Sequence, residues 1–208
     1  MSNFHIEKQC KEHSKLLRYA LRTTTQEVHE RLHTHPLTQL LLSKELTIHQ
    51  YLKLLEAFYG FYYAIEQALS SLQHHYQLAS RSQWLVQDLQ HYKYDTNDLN
   101  TLPLCAKLPR IDNPLAYLGY CYVVEGSSLG SQLIYQHLSK HLDFTGTSGV
   151  RFFRAHGRNT GKYWQSFMAY LAQDQLTHKE QNIVLIGAKN TFVSLEGWLW
   201  QCYKKHLL

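Results

Sequence analysis

Apolar residues recur every three to four positions along most of this chain, and no stretch alternates apolar with polar residues long enough to read as a strand. About residues 10 to 32, Leu17, Ala20, Leu21, Thr24, Val28 and Leu32 keep helical spacing, and Pro36 ends the segment near Thr34-His35. From Thr47 to about Leu72 the rhythm returns in Tyr51, Leu54, Leu55, Phe58, Tyr62, Ile65 and Leu69. Residues 93–112 read as a loop with one short turn. Asn113-Pro114 reads as an N-cap with proline at the first helical position, opening a helix to about His141. A loop through Gly146 and Gly149 leads to a segment from Val150 to Ala172, broken or bent near Gly157 to Gly161. Thr177-His178-Lys179-Glu180 matches a capping box, and a last helix runs from it almost to the C-terminus. With no repeat, low-complexity tract or linker, the pattern predicts one all-α domain over residues 1–208, built from about six to eight helices.

Composition narrows the class. Hydrophobic residues at 44% and charged residues at 18% are those of a folded chain. No apolar run approaches the roughly 18 to 20 residues that cross a bilayer, so no membrane association is expected. The polar N-terminus lacks the apolar middle of a secretory signal, so a cytoplasmic location is expected. Cys10, Cys105, Cys121 and Cys202 form no CxxC pair, which argues against a zinc site and for four reduced thiols. The net charge of +5 suits docking of an acidic partner, but is too weakly concentrated for nucleic acid. Fourteen histidines mean that a single one carries meaning only through its spacing and neighbours.

Three segments carry candidate chemistry. In YCYVVEGSSLGSQLIY, residues 120–135, Gly126 and Gly130 lie four apart on one helix face, widened by Ser127 and Ser131. Each glycine inside a helix costs about 1 kcal/mol relative to alanine, so a compensating close approach is implied. Another helix or a flat ligand satisfies that requirement equally well, and glycine with serine also invites a bend. In LRTTTQEVHERLHTHPL, residues 21–37, Arg22 and His29 share a face with backbones roughly 10 Å apart along the axis. That spacing suits a ligand whose centre takes an imidazole and whose edge carries carboxylates. It is equally open to a histidine packed at the core edge, and His33 and His35 compete as ligands. In RFFRAHGRNTGKYWQSF, residues 151–167, Arg151, Arg154, Arg158 and Lys162 make a basic stripe if the helix is continuous, either solvated or facing an anionic group.

Together these segments resemble the heme oxygenase family, its bacterial branch in particular. The first is similar to the proximal LRxxTxxxHxxL helix, the second to the distal YVxEGSxLGxxxI motif, and the third to FFxxYGxxTGxxWxxF; AKNTFVSLEGWL, residues 188–199, resembles the closing AxxTFxxLxxWL. The resemblance spans about residues 15 to 200 in the expected order. It implies a helical bundle in which heme is sandwiched between a proximal and a glycine-kinked distal helix. By that resemblance His29 matches the axial iron ligand, while Arg22, Tyr122 and Arg158 fall where heme propionates are held. Phe192 matches an aromatic packed near the heme, and Gly126, Ser127 and Gly130 match the distal segment over its open face. The implied reaction cleaves heme, itself substrate and prosthetic group, with O2 to biliverdin, carbon monoxide and ferrous iron. No GxGxxG fingerprint is present, so electrons are expected from an external ferredoxin or reductase. A bilin acceptor is a further partner the resemblance allows. One departure matters: His33 stands four residues after His29, where the family usually has Glu, Asp or Gln to tune the imidazole. His156 and Ser131 also depart, replacing a tyrosine and a smaller residue. Two other readings are a heme chaperone with the same pocket and no turnover, and a thiaminase-like enzyme using Cys121 with Glu125.

Overall fold

Helix α1, Ser2–Thr34, buries Leu17, Leu21, Thr25, Val28 and Leu32 along one stripe. Thr25 is the polar member, and its hydroxyl donates to the Leu21 carbonyl at 2.8 Å. The helix stops where expected. His35, preceding Pro36, is extended (φ −62°, ψ 134°), and its Nδ1 accepts from the Leu37 amide at 3.1 Å to open α2, Pro36–Leu40. This computed structural model describes residues 2–73, 76–142, 144, 148–173 and 176–206, with side chains described between 15 and 205. The expected loop through Gly146 lies outside the described residues, as does the Cys10 side chain.

Helix α3, Ile48–Leu69, starts at a capping box between Thr47 and Gln50. Helix α4, Arg81–His91, follows; the periodicity did not reveal it, because its buried face carries Arg81, Ser82 and Asp88 beside Trp84, Leu85 and Leu89. Glu66 of α3 supplies the missing logic: its carboxylate accepts from the Arg81 amide at 2.7 Å and the Ser82 hydroxyl at 2.5 Å, holding the N-terminus of α4. Helix α5, Thr96–Thr101, is the short turn expected in the loop. Helix α6, Pro114–His141, begins as predicted, with Asn113 Oδ1 accepting from the Ala116 amide at 2.9 Å. It stays helical through Gly126 and Gly130.

Helix α7, Arg151–Arg154, is followed by a 3-10 turn, Gly157–Asn159, and by α8, Thr160–Gln173. Ala155 (φ 47°) and Gly157 (φ 57°) break the backbone between them, so the continuous basic stripe considered from the sequence does not form. Helix α9, His178–His206, opens on the expected Thr177–Glu180 box, with the Thr177 amide donating to Glu180 Oε2 at 2.8 Å. Among the described residues the secondary structure is wholly helical, and seven of these helices have six residues or more. None is long and apolar enough to cross a membrane.

Helix α9 lies along both α6 and α1, while α8 packs on the same two and α3 on α4. The α6–α9 crossing is tight: a Cβ on Gly187 would stand 2.5 Å from the Ala116 carbonyl oxygen, and one on Gly119 would meet the Val184 carbonyl. These two glycines bring the backbones together. The Trp198 indole donates to the Ala57 carbonyl at 2.7 Å and ties α9 to α3.

Candidate functional site

On α1, His29 is solvent-exposed and carries a particular set of neighbours. Its ring meets Phe192 of α9 edge-on at 5.7 Å between centroids, and His33, one turn on, edge-on at 4.5 Å. Partial burial lowers its pKa, His33 lowers it further, and Glu30 opposes both. Near pH 7 the imidazole is therefore neutral, with a lone pair to offer a metal. Phe192 is buried against the core. Arg22 is exposed two turns before His29, and Arg18, which the sequence reading did not single out, repeats that face one turn earlier. The available signal was the spacing of 18, 22, 25 and 29.

Helix α6 comes beside α1 one turn before His29, at Thr25. The half-buried Tyr122 has its hydroxyl beside the Thr25 hydroxyl of α1; burial raises its pKa, while Thr25, Arg18 and Arg22 pull it down. Thus Tyr122, Arg22 and the stretch leading to His29 meet at one place. The Tyr122 ring also leans on Trp164 of α8, at 5.5 Å. One turn along, a Cβ on Gly126 would lie 3.4 Å from the Trp164 ring, whereas one on Gly130 would have nothing within 4 Å. Ser127 and Ser131 turn their hydroxyls into their own helix, donating to the Val124 and Ser128 carbonyls at 2.9 Å each. Leu129 and Leu133, on the face of Gly126 and Gly130, are 39% and 69% exposed. The strip is therefore walled by Trp164 at Gly126 and open at Gly130, with an apolar surface. Close helix packing, the alternative for these glycines, is instead performed by Gly119 and Gly187.

Other candidates fall elsewhere. Arg158 is exposed on the 3-10 turn, with no hydrogen bond or ion pair among the described residues linking it to His29, Tyr122 or the glycine strip. Cys121 is fully buried, and burial first of all holds its pKa well above the usual thiol value. A thiol kept neutral is a poor nucleophile, which removes the support for a Cys121–Glu125 enzyme. Trp164, quoted within its motif but given no role from the sequence, emerges as the wall beside Gly126 and Tyr122.

A neutral imidazole, an open strip of small and leucine side chains and flanking guanidiniums match the chemistry of a flat metal macrocycle with anionic edges: the class is a helical heme protein. The heme oxygenase family profile matches residues 15–200. The chain belongs to the heme oxygenase family and is a heme-degrading enzyme. Comparison with curated protein sequences finds no match. Among solved structures, heme oxygenase from Leptospira interrogans is 18% identical with a TM-score of 0.70, covering 89% of this chain and 98% of its own. The NO- and CO-bound heme oxygenase of Neisseria meningitidis is 22% identical with a TM-score of 0.67, covering 90% and 92%. Heme oxygenase-1 of the cyanobacterium Synechocystis, in complex with heme, is 16% identical with a TM-score of 0.68, covering 89% and 91%. These likenesses show the fold.

Proposed function

We propose that the whole chain, 1–208, works as one domain that binds heme between α1 and α6, with His29 as the axial ligand. The observation that carries this is the meeting of Thr25 on α1 with Tyr122 on α6, which sets the neutral His29 one turn along α1 and the small-residue strip that is open at Gly130 one to two turns along α6. Arg18, Arg22 and Tyr122 hold the propionates; a role for Arg158 has no contact to support it. Phe192 fixes the plane of His29 and shields one side of the pocket. Gly126, Ser127 and Gly130 keep that part of α6 low, which would let its backbone lie close to a bound macrocycle and restrict the space left for O2. With both serine hydroxyls donating into their own helix, and the amides of that unbroken helix engaged in its own ladder, solvent is left to donate hydrogen bonds there.

Heme, when bound, supplies the oxygen-activating chemistry and is itself the substrate. The products are biliverdin, carbon monoxide and ferrous iron. Electrons come from an external ferredoxin or reductase in the cytoplasm, and the net charge of +5 suits an acidic donor. A hemin titration followed by turnover with reductant tests the reading: the protein develops a Soret band and the mixture turns green. His29→Ala abolishes turnover, and a variant with the wild-type spectrum and rate would assign the ligand elsewhere. A protein that holds hemin intact under reductant and O2 would be a carrier instead.

A further inference from the structure

Directly behind the open strip, α6 turns Glu125 and Ser128 into the protein interior, 2% and 4% exposed. Arg81 of α4, equally buried, donates from Nη2 to Ser128 Oγ at 3.1 Å and from Nη1 to the Ala79 carbonyl at 3.0 Å, and Nη2 stands 3.7 Å from Glu125 Oε2. His156, at the break between α7 and the 3-10 turn, closes the group. Its ring stacks on Tyr163 at 3.7 Å and 9° and meets Trp84 edge-on at 5.2 Å, and its Nε2 lies 3.7 Å from the same Glu125 oxygen. Glu125 Oε2 and His156 Nε2 are both buried atoms without a hydrogen-bond partner among the described residues, and they face each other. Buried polar atoms of this kind are almost always paired.

The surrounding charges decide the protonation states. The guanidiniums of Arg81 and Arg151 both sit 4.2 Å over the Trp84 ring. Burial first, then Arg81 and Arg151, bring the His156 pKa down to about 4. Burial raises that of Glu125 while Arg81 opposes it; Cys121 and Tyr76, two further titratable neighbours besides the stacked Tyr163, are kept neutral by their own burial. A buried Arg81 without its carboxylate would be costly, so Glu125 is ionised and His156 neutral at pH 7.

We propose that Glu125 and His156 are positioning residues of the heme-degrading site. The Nε2–H of neutral His156 is the donor facing the Glu125 carboxylate at 3.7 Å, a pair that a small side-chain adjustment closes into a hydrogen bond, and with Arg81 it pins the Glu125–Ser128 segment of α6 from behind. The strip in front is small at Gly126 and Gly130 and its Leu129 and Leu133 are exposed, so its distance from a bound macrocycle depends on what grips its back. This role rests on the heme-oxygenase reading; the pairing itself does not.

The apo-protein reports the pairing independently of turnover. With nitrogen-15-labelled histidine in the full chain, His156 is expected to show the Nε2–H tautomer, with no titration between pH 5.5 and 8. Glu125→Gln shifts that signal. Titration of His156 near the ordinary 6.5, or a proton on Nδ1, overturns the pairing. In the holo-protein His156→Phe keeps the stack on Tyr163 but loses the donor, lowering kcat by about tenfold or more with hemin affinity unchanged. His156→Gln, whose amide can still donate, recovers part of it. An unchanged kcat in a folded His156→Phe overturns the positioning role. Should that variant not fold, the Glu125→Gln shift in apo-protein and its kcat decide the matter in the same way.

Discussion

His29 has a second histidine where a carboxylate or amide would normally steady the imidazole. His33 meets it edge-on at 4.5 Å and lowers its pKa, adding to burial. Coordination needs the neutral ring. A pKa below 6.5 therefore means that hemin binding survives to lower pH than an ordinary histidine permits, and fails as pH falls through the lowered value. Replacing His33 with alanine removes one of the two lowering influences, so the acid limb of a hemin titration moves to higher pH. His33→Glu moves it further and adds an acceptor for the ring, altering turnover by about 10- to 100-fold. An acid limb unmoved in both variants would show that His33 has no electrostatic hold on the ligand. Spacing alone placed His29 and Arg22 on one face; Arg18 sat on that face too, but became noticeable only when Tyr122 arrived beside it from another helix.

At the level of helices, the glycines divide into two kinds that look alike in sequence. Gly119 and Gly187 are where α6 and α9 touch backbone to backbone, while the space over Gly130 is open. Gly187→Ala forces the helices apart and is expected to destabilise the apo-protein by about 1–3 kcal/mol. Gly130→Ala meets no clash and gains helix propensity, stabilising the apo-protein by up to about 1 kcal/mol. It nonetheless weakens hemin binding and slows turnover, because the new methyl stands in the ligand's path. Thermal melts of the apo-proteins beside hemin titrations separate the two effects. A Gly130→Ala protein that binds and turns over normally would remove the strip from the site. Helix α4 makes a related point: its inward face is largely polar because it meets Glu66, Ser128 and the α7 amides, with Asp88 accepting from Arg151 and Phe152 at 2.6 and 2.8 Å.

For the molecule as a whole, buried titratable groups set opposing pH dependences. His156, near 4 when folded and 6.5 when free, binds a proton in the unfolded chain but not the folded one across that window, so its contribution to stability falls as pH drops from 6.5 to 4. Asp88 behaves oppositely. Burial, outweighing its amide bonds, raises it from 3.8 to about 6, so the folded protein keeps a proton that the unfolded chain has released, and stability falls as pH rises through that range. Glu125 has the same sign as Asp88. Between pH 4 and 6 these contributions therefore partly cancel. In His156→Phe the histidine's contribution disappears, so the variant loses less stability toward acid than the wild type, the two profiles diverging by up to about 3 kcal/mol. Urea titrations at pH 4, 5, 6 and 7 measure this; parallel profiles would mean that His156 titrates normally.

The sequence by itself determined the helical class, the helix starts at Thr47, Asn113 and Thr177, the stop at Pro36, and the motif order that identifies the family. All of these are local: they depend on spacing within a turn or two, on capping chemistry, or on residue order. Tertiary structure alone decided which glycines pack and which stay open, that the basic stripe is broken at Ala155, that α4 exists, and that Arg81, Glu125 and His156 converge. The packing, α4 and the buried cluster depend on partners from 15 to about 75 residues away in the chain. A buried charge reads like a surface one until the group that neutralises it is brought alongside.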